Sequence, residues 1–265
     1  MKIFVLMFIV STLLFSKVYY SKVEPYKIKN IASNVNGQVI FIDEDKIGMI
    51  LSESPYIKID SVLDQEELKY TKEKLLNIIK TISLDEVMAK NLDDSLNKKR
   101  VNYEKVKSLK IKSSVEKDRE FYDLIASENA YISIKKEINS LKRQMYDLKL
   151  RKVQLEKTIN DKILKDTNYT LYSINVKVGQ VVAKSTPLAT VADTSKAILT
   201  IYLDDDEIID AKNKVIYING KKTSYKITRI LNIADSKNIS KYMAQIVIKA
   251  PKIFSKLIKI ELKVK

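Results

Sequence analysis

Two segments of this chain carry the same pattern of apolar residues and prolines, although a long insert separates them. A shift of 132 positions aligns Val39 with Leu171, Ile42 with Ile174, Ile50 with Val182, Pro55 with Pro187, Ile57 with Ala189 and Ile59 with Val191. The period-two spacing within each copy predicts short half-buried strands. A copy of about 25 residues is too small to bury a core alone. We therefore expect the two copies to pack on each other, and the insert to project from the pair.

The insert between the copies has a helical pattern. Residues 62 to 165 contain no Gly or Pro, although the chain has four of each. Apolar residues recur every seven positions in two columns: Leu68, Leu75, Ile82, Ala89, Leu96 and Tyr103, then Ile134, Leu141, Leu148 and Leu155. Heptads sustained over this length predict a coiled coil.

The two columns do not share one phase, which predicts a break between them. The intervening segment, Lys107 to Lys117, contains Ser108, Ser113 and Ser114, and Ser114 suits a helix start. We predict two antiparallel helices of about 45 residues, each near 70 Å long at 1.5 Å per residue. One alternative is a continuous rod that pairs with a second chain. The capping-box pattern of Ser83 to Glu86 predicts either a break in the first helix or a solvated turn of an unbroken one.

The N-terminus is typical of an exported chain. Lys2 is followed by an apolar run from Ile3 to Phe15, interrupted only by a Ser-Thr pair. No small-x-small cleavage site precedes Ser16 or Ser21, so we favour a retained membrane anchor over residues 1–21, with cleavage as the alternative. Without cysteine the segment cannot be a lipoprotein signal.

The composition excludes most catalytic and cofactor sites. The chain has no His and no Cys, so it lacks a histidine base, a thiolate nucleophile and the usual zinc ligands. Its four glycines are too scattered for a phosphate-binding loop. We predict no enzymatic activity, no cofactor and no metal; an exported carboxylate enzyme would need an acid-base pair that no motif locates. The cluster Asp204 to Glu207 fits a helix N-terminus better than a metal site.

The net charge of +15 is concentrated in the last third, which contains 17 basic residues and 8 acidic ones. Lys far outnumbers Arg, and no groove pattern of Arg and aromatic residues is present, so we predict no nucleic-acid binding. One interpretation is that this excess faces anionic lipid head groups near the inner membrane.

A family resemblance follows from the two copies and their order. The first copy contains Gly37-Gln38-Val39, Ile42, Ile50, Pro55 and Ile59-Asp60; the second contains residues 174–182 and Pro187-Leu188 through Asp193. These half-motifs, flanking a coiled coil after an anchor, resemble the membrane fusion proteins, the periplasmic adaptor family that includes haemolysin D-like secretion components. Tyr169 departs from the pattern, because a glycine is usual there, and Gly48 is displaced by one position from the equivalent of Gly179.

The resemblance implies an α+β fold. It has a split lipoyl-like (barrel-sandwich) β domain, residues 30–61 and 167–193, with an inserted antiparallel coiled-coil hairpin, residues 62–166, followed by a β-barrel domain, residues 194–265. Strands are predicted at Ala197 to Leu203, Lys214 to Ile218, Thr223 to Ile233, Tyr242 to Lys249 and Leu257 to Val264. Asn219-Gly220 suits a two-residue hairpin turn. The predicted structural turn residues are Gly37, Pro55, Gly179, Pro187 and Gly220.

The resemblance also implies a function, that of a non-enzymatic adaptor in the periplasm, anchored in the inner membrane. Its implied partners are an inner-membrane transporter, a TolC-like outer-membrane channel and copies of itself in a ring, commonly a hexamer. The hairpin tip is the implied channel contact, where Lys105 and Leu109 have the family's spacing and Ser113 or Ser114 follows. Ordinary solvated turn residues would give the same pattern.

A second hypothesis is a cell-envelope scaffold that dimerises through the coiled coil and transports nothing. A lipoyl or biotinyl carrier is disfavoured, because the coiled coil replaces the hairpin that holds the modified lysine.

Overall fold

The computed structural model of the chain describes residues 17–234 and 241–264. Its strands are β1 (Val18–Lys22), β2 (Glu24–Ala32), β3 (Gly37–Ile42), β4 (Ile57–Ile59), β5 (Ile163–Leu164), β6 (Thr170–Ile174), β7 (Val181–Val182), β8 (Pro187–Leu203), β9 (Val215–Ile218), β10 (Lys221–Lys222), β11 (Ile227–Ala234), β12 (Tyr242–Lys249) and β13 (Leu257–Lys263). Its helices are α1 (Val62–Ser108), α2 (Ser114–Asp161) and α3 (Asp205–Ile208), with short 3-10 turns at Glu44–Lys46 and Ala211–Asn213.

Helices α1 and α2 form an antiparallel hairpin within one chain. Three ion pairs show the direction, because their residue numbers rise along α1 as they fall along α2: Glu67 with Arg151, Glu86 with Lys142 and Arg100 with Glu128. The seam buries Ile82, Ala89 and Leu96 of α1 and Leu124, Ile134, Ile138 and Leu155 of α2. The predicted hairpin is confirmed. The continuous rod is wrong, because the chain reverses between the helices, and α1 runs unbroken through Ser83 to Glu86.

The smaller β unit combines residues from before and after the hairpin. Strands β5, β4, β3 and β7 form one sheet in that order, and β6 pairs with the first part of β8. Their common core contains Val39, Leu51, Tyr56, Ile57, Ile59, Leu164, Leu171, Val176, Val182, Leu188, Ala189 and Val191. Because both copies supply this core, they pack on each other as the repeat predicts.

Reciprocal hydrogen bonds relate the two copies. The Gly179 N–H donates to the carbonyl of Val39, and the Gly48 N–H donates to the carbonyl of Leu171, each over 2.8 Å. Both glycines have positive φ, +88° and +84°, which favours glycine at these positions. Gly48 is therefore the structural partner of Gly179, and the first copy carries one extra residue between Val39 and Gly48.

This extra residue corrects the alignment near the turn. The uniform shift matches Ile50 to Val182, yet Ile50 is 71% exposed while Leu51 is 4% exposed. Leu51 is thus the buried equivalent of Val182. The shift returns to 132 farther along, where Ile57 and Ala189 are both fully buried. The sequence pattern alone does not reveal this one-residue shift in the alignment, because Ile50 and Leu51 are both apolar.

Strand β8 continues from the smaller β unit into a second, larger β unit. Strands β11, β12, β8 and β2 form one sheet, and β1, β13, β9 and β10 form the other. Both sheets contribute to a second core that includes Leu199, Ile201, Ile216, Ile246 and Ile260. The predicted turn at Asn219-Gly220 is confirmed, with φ of +48° and +78°. Gly37 and Pro187, predicted at turns, instead open strands β3 and β8.

The N-terminal end of the described chain belongs to this larger unit. Strand β1, Val18–Lys22, pairs antiparallel with β13, so Val18 to Ser21 lie in a sheet and not in the anchor to which residues 1–21 were assigned. The remainder of the predicted anchor, residues 1–16, lies outside the described residues. Within 17–234 and 241–264, no helix is both long and apolar enough to cross a membrane.

Glu261 makes the stability of the larger unit sensitive to acid. Its carboxylate binds Lys259 at 2.6 Å and Lys263 at 2.8 Å, and these two ammonium groups lower the pKa of Glu261 to about 2. The ion pairs that lower this pKa stabilise the fold fully when the pH is above the pKa of the unfolded state, near 4.5. Their contribution disappears as the pH falls toward 2. We expect Glu261→Gln to lower the unfolding temperature at pH 7 and to narrow its difference from wild type as the pH falls from about 4.5 to 2. A pH-independent difference would contradict this role.

Candidate functional site

The hairpin tip is the turn between α1 and α2, residues 109–113. Helix α1 ends at Ser108, whose hydroxyl donates to the carbonyl of Lys105 over 2.7 Å. The Leu109 N–H donates to the carbonyl of Val106, and Leu109 itself is extended. The chain therefore leaves the helix at Leu109 and starts the next one five residues later.

A capping box starts α2. The Ser113 hydroxyl accepts from the Glu116 N–H over 3.3 Å, and the Glu116 carboxylate accepts from the Ser113 N–H over 3.0 Å. Lys112 binds the same carboxylate at 3.0 Å, and together these contacts lower the pKa of Glu116. The helix thus begins at Ser114, as its sequence predicts, with Ser113 as the capping residue.

The four residues predicted at the tip are all exposed. Lys105 lies on the last turn of α1, Leu109 and Ser113 bound the turn, and Ser114 opens α2. Leu109 is 42% exposed, so it is only partly enclosed by the helices. The Ser113 hydroxyl is used by the cap, whereas the side chains of Lys105 and Leu109 face solvent.

Two apolar residues at the tip were not among the predicted ones. Ile111 is 89% exposed and Val115 is 75% exposed, which is more than Leu109. Near them, the Phe121 ring contacts Tyr103 and Tyr122, with centroids 5.6 and 5.8 Å apart. Neither Ile111 nor Val115 fits a heptad column, and an apolar residue off the seam is the signal that could have identified them. The tip offers a small apolar surface surrounded by lysines.

The second candidate site is the acidic cluster after β8. Carboxylate oxygens of Asp204, Asp206 and Glu207 lie within 4.8 Å of one another. Lys17 binds both Asp204 and Glu207, and Lys241 lies 3.5 Å from Asp204. The Asp204 N–H donates to Glu207 over 3.0 Å.

The contacts of the cluster with Tyr19 and the lysines are mutual and change the pKa values on both sides. Burial raises the pKa of the Tyr19 hydroxyl, and the hydrogen bond that this hydroxyl donates to Glu207 raises it further. The lysine contacts lower the pKa of Asp204. The carboxylates cap α3 and tie it to β1, as the helix N-terminus interpretation predicts.

Comparisons with known proteins agree with this architecture. No protein-family profile and no curated protein matches the sequence. Among solved structures, MacA from Actinobacillus actinomycetemcomitans superposes with a TM-score of 0.67 at 16% identity, over 94% of this chain and 78% of that one. The membrane fusion protein Spr0693 from Streptococcus pneumoniae R6 gives 0.61 at 14% identity, over 94% of this chain and 100% of the other. The periplasmic adaptor protein EmrA gives 0.51 at 13% identity, over 94% and 99%.

Each superposition extends over nearly the whole chain, so it includes the hairpin and both β units in one arrangement. At such low identities the likeness concerns the fold and leaves substrate and partners open. The chain has the fold of the membrane fusion proteins, or periplasmic adaptors.

Proposed function

We propose that this protein is the adaptor subunit of a tripartite export system, linking an inner-membrane transporter to an outer-membrane channel of the TolC-like type. In this proposal the chain is a non-catalytic component of the periplasm, held to the inner membrane by residues 1–16. The smaller β unit is its lipoyl-like domain, and the larger one is its β-barrel domain.

The observation that carries the proposal is the length of the hairpin relative to its base. Helices of 47 and 48 residues extend about 70 Å at 1.5 Å per residue. Ile59 and Lys162, at the two inner ends, are joined by a backbone hydrogen bond of 2.8 Å, so both helices leave the smaller unit at one point. Such a rod places its tip far from the β units, as a link between two membranes requires.

The tip is the proposed contact with the channel. Lys105, Leu109, Ser113 and Ser114 are the residues that the family pattern assigns to it, and the exposed Ile111 and Val115 enlarge its apolar part. Apolar residues with a polar rim are typical of a protein interface. The opposite end of the molecule, where Lys17 and α3 meet, lies nearest the anchor and is the proposed side of the inner-membrane transporter.

We also propose that the adaptor works as a ring of identical copies, commonly six in this family. A closed ring needs two different surfaces on each copy, so that one surface of each copy binds the other surface of its neighbour.

Crosslinking and co-isolation test the proposal. The full chain, tagged at its C-terminus, is crosslinked in intact cells and isolated from detergent extracts. We expect a multi-spanning transporter and an outer-membrane channel among the crosslinked products, together with multimers of the chain. Isolation of the chain crosslinked only to itself, as a dimer, would instead favour the envelope scaffold. A variant that lacks residues 1–16 is the control, because it shows which crosslinked products form without the proposed anchor.

A further inference from the structure

One end of the larger β unit carries a cluster of exposed lysines. The basic surface, as we name it, consists of Lys22, Lys196, Lys249, Lys252 and Lys256 together with Ile253 and Leu257. Backbone contacts join its parts: Lys22 pairs with Leu257, and the Val23 N–H donates to the carbonyl of Lys256 over 2.9 Å. Within the part of the chain that the structure describes, none of these lysines forms an ion pair with a carboxylate.

Two features of the basic surface are unfavourable in an isolated chain. Lys196 and Lys249 lie directly opposite each other on β8 and β12, and like charges in that position repel. Ile253 is 72% exposed and Leu257 is 63% exposed, so apolar area is left in water among the lysines. An acidic surface with its own apolar residues would relieve both costs.

The position of the basic surface argues against a lipid partner. Lys17, where the N-terminal segment joins the described chain, binds Asp204 and Glu207 just after Leu203. Leu203 pairs with Tyr242 at one end of β12, whereas Lys249 lies at the other end. Seven residues of strand separate the two ends by about 23 Å. Lys196, Lys249, Lys252 and Lys256, four of the 17 basic residues in the last third, therefore lie at the end away from the predicted anchor.

The smaller β unit offers the complementary surface. The acidic surface consists of Phe41, Glu44, Asp45, Ile47 and Val178. Phe41 and Val178 line a groove beside Glu44 and Asp45, which Lys177 also borders. Val178 is 61% exposed and Ile47 is 46% exposed. Among the described residues neither Glu44 nor Asp45 has an ion-pair partner, because Lys46 binds Asp43 instead.

The two surfaces lie in different β units of the chain. The acidic surface follows β3, where the Asp43 N–H donates to the carbonyl of Tyr56. The basic surface lies where β8 passes from the smaller unit into the larger one, because Lys196 and Lys249 pair at that end of the larger unit.

We propose that the basic surface of one copy binds the acidic surface of the next. The contact is heterologous, so an open assembly of copies keeps one free basic surface and one free acidic surface at its two ends until a ring closes. The inference deepens the proposed ring by naming its surfaces, and a ring closed through other surfaces would leave the proposed function intact.

Charge reversal on the full-length protein in detergent tests the pairing. One variant is Lys249→Glu/Lys252→Glu/Lys256→Glu, and the other is Glu44→Lys/Asp45→Lys. We expect each alone to weaken self-association at least about tenfold, because like charges then meet at every contact. A 1:1 mixture of the two should restore oligomers in which the variants alternate, as measured by native mass spectrometry.

The control variant is Lys212→Glu/Lys221→Glu/Lys222→Glu, which changes the net charge equally at exposed lysines outside the basic surface and should associate like wild type. Circular dichroism checks the fold of each variant. Failure of the mixture to associate, or wild-type association of either variant alone, would overturn the proposal. The proposal would also be overturned if the Lys249→Glu/Lys252→Glu/Lys256→Glu variant kept wild-type oligomers but lost binding to phosphatidylglycerol vesicles. The basic surface would then be a lipid site. Failure of the adaptor role would appear separately, in the crosslinked partners.

Discussion

Removal of two heptads from each helix is expected to abolish export while leaving both β units folded. The segments to remove are residues 83–96 of α1 and 132–145 of α2. The deletions join Ile82 to Asn97 and Tyr131 to Tyr146, which keeps the heptad phase of both helices, and they remove both partners of the Glu86–Lys142 ion pair. Fourteen residues at 1.5 Å each shorten the hairpin by about 21 Å. In the proposed adaptor role, a tip that far short of the outer membrane cannot reach the channel.

The measurement is complementation of the export defect of a strain that lacks the gene. A length-matched control replaces the deleted segments with second copies of residues 69–82 and 146–159, which preserves the heptad phase. We expect the control to export and the shortened chain not to, although both reach wild-type levels in the membrane fraction. Full export by the shortened chain would contradict a spanning role for the hairpin.

Leu51→Ala is expected to cost about 2–5 kcal/mol of unfolding free energy, as other buried leucines do. Leu51 is 4% exposed and lies in the core that the two copies share. The neighbouring Ile50→Ala is its matched control, because Ile50 is 71% exposed and surface changes usually stay within about 0.5 kcal/mol.

Urea titration measures both variants, with tyrosine fluorescence as the probe, since Tyr56 is fully buried in the same core. The comparison also tests the one-residue slip of the repeat. A uniform shift of 132 would make Ile50 the buried residue, so a larger loss from Ile50→Ala than from Leu51→Ala would contradict the corrected register.

Sequence patterns predicted the parts of the fold that have a strong period. The heptad columns of α1 and α2 and the absence of Gly and Pro between residues 62 and 165 predict a long coiled coil, and the change of phase between the columns favours a hairpin over a continuous rod. The turn at Asn219-Gly220 was equally clear, since both residues tolerate positive φ.

Other parts depend on tertiary contacts that no local pattern records. Residues 18–21 of strand β1 were assigned to the anchor because they closely follow the apolar run, yet Tyr19 is buried in the larger unit, where β1 pairs with β13. Ile111 and Val115 are exposed at the tip only because the helices end beside them. Likewise, Lys196 and Lys249 are 53 positions apart, and only the register of β8 with β12 makes them neighbours.

Site-specific photo-crosslinking in cells tests the central claim most directly, because it asks which partner lies at which end. A photoreactive residue replaces Leu109 at the hairpin tip or Ile209 beside α3, which is 81% exposed near Lys17. The bridging role predicts that position 109 captures an outer-membrane channel and position 209 an inner-membrane protein. Capture of the same partner from both positions, or of only a second copy of the chain from the tip, would contradict it.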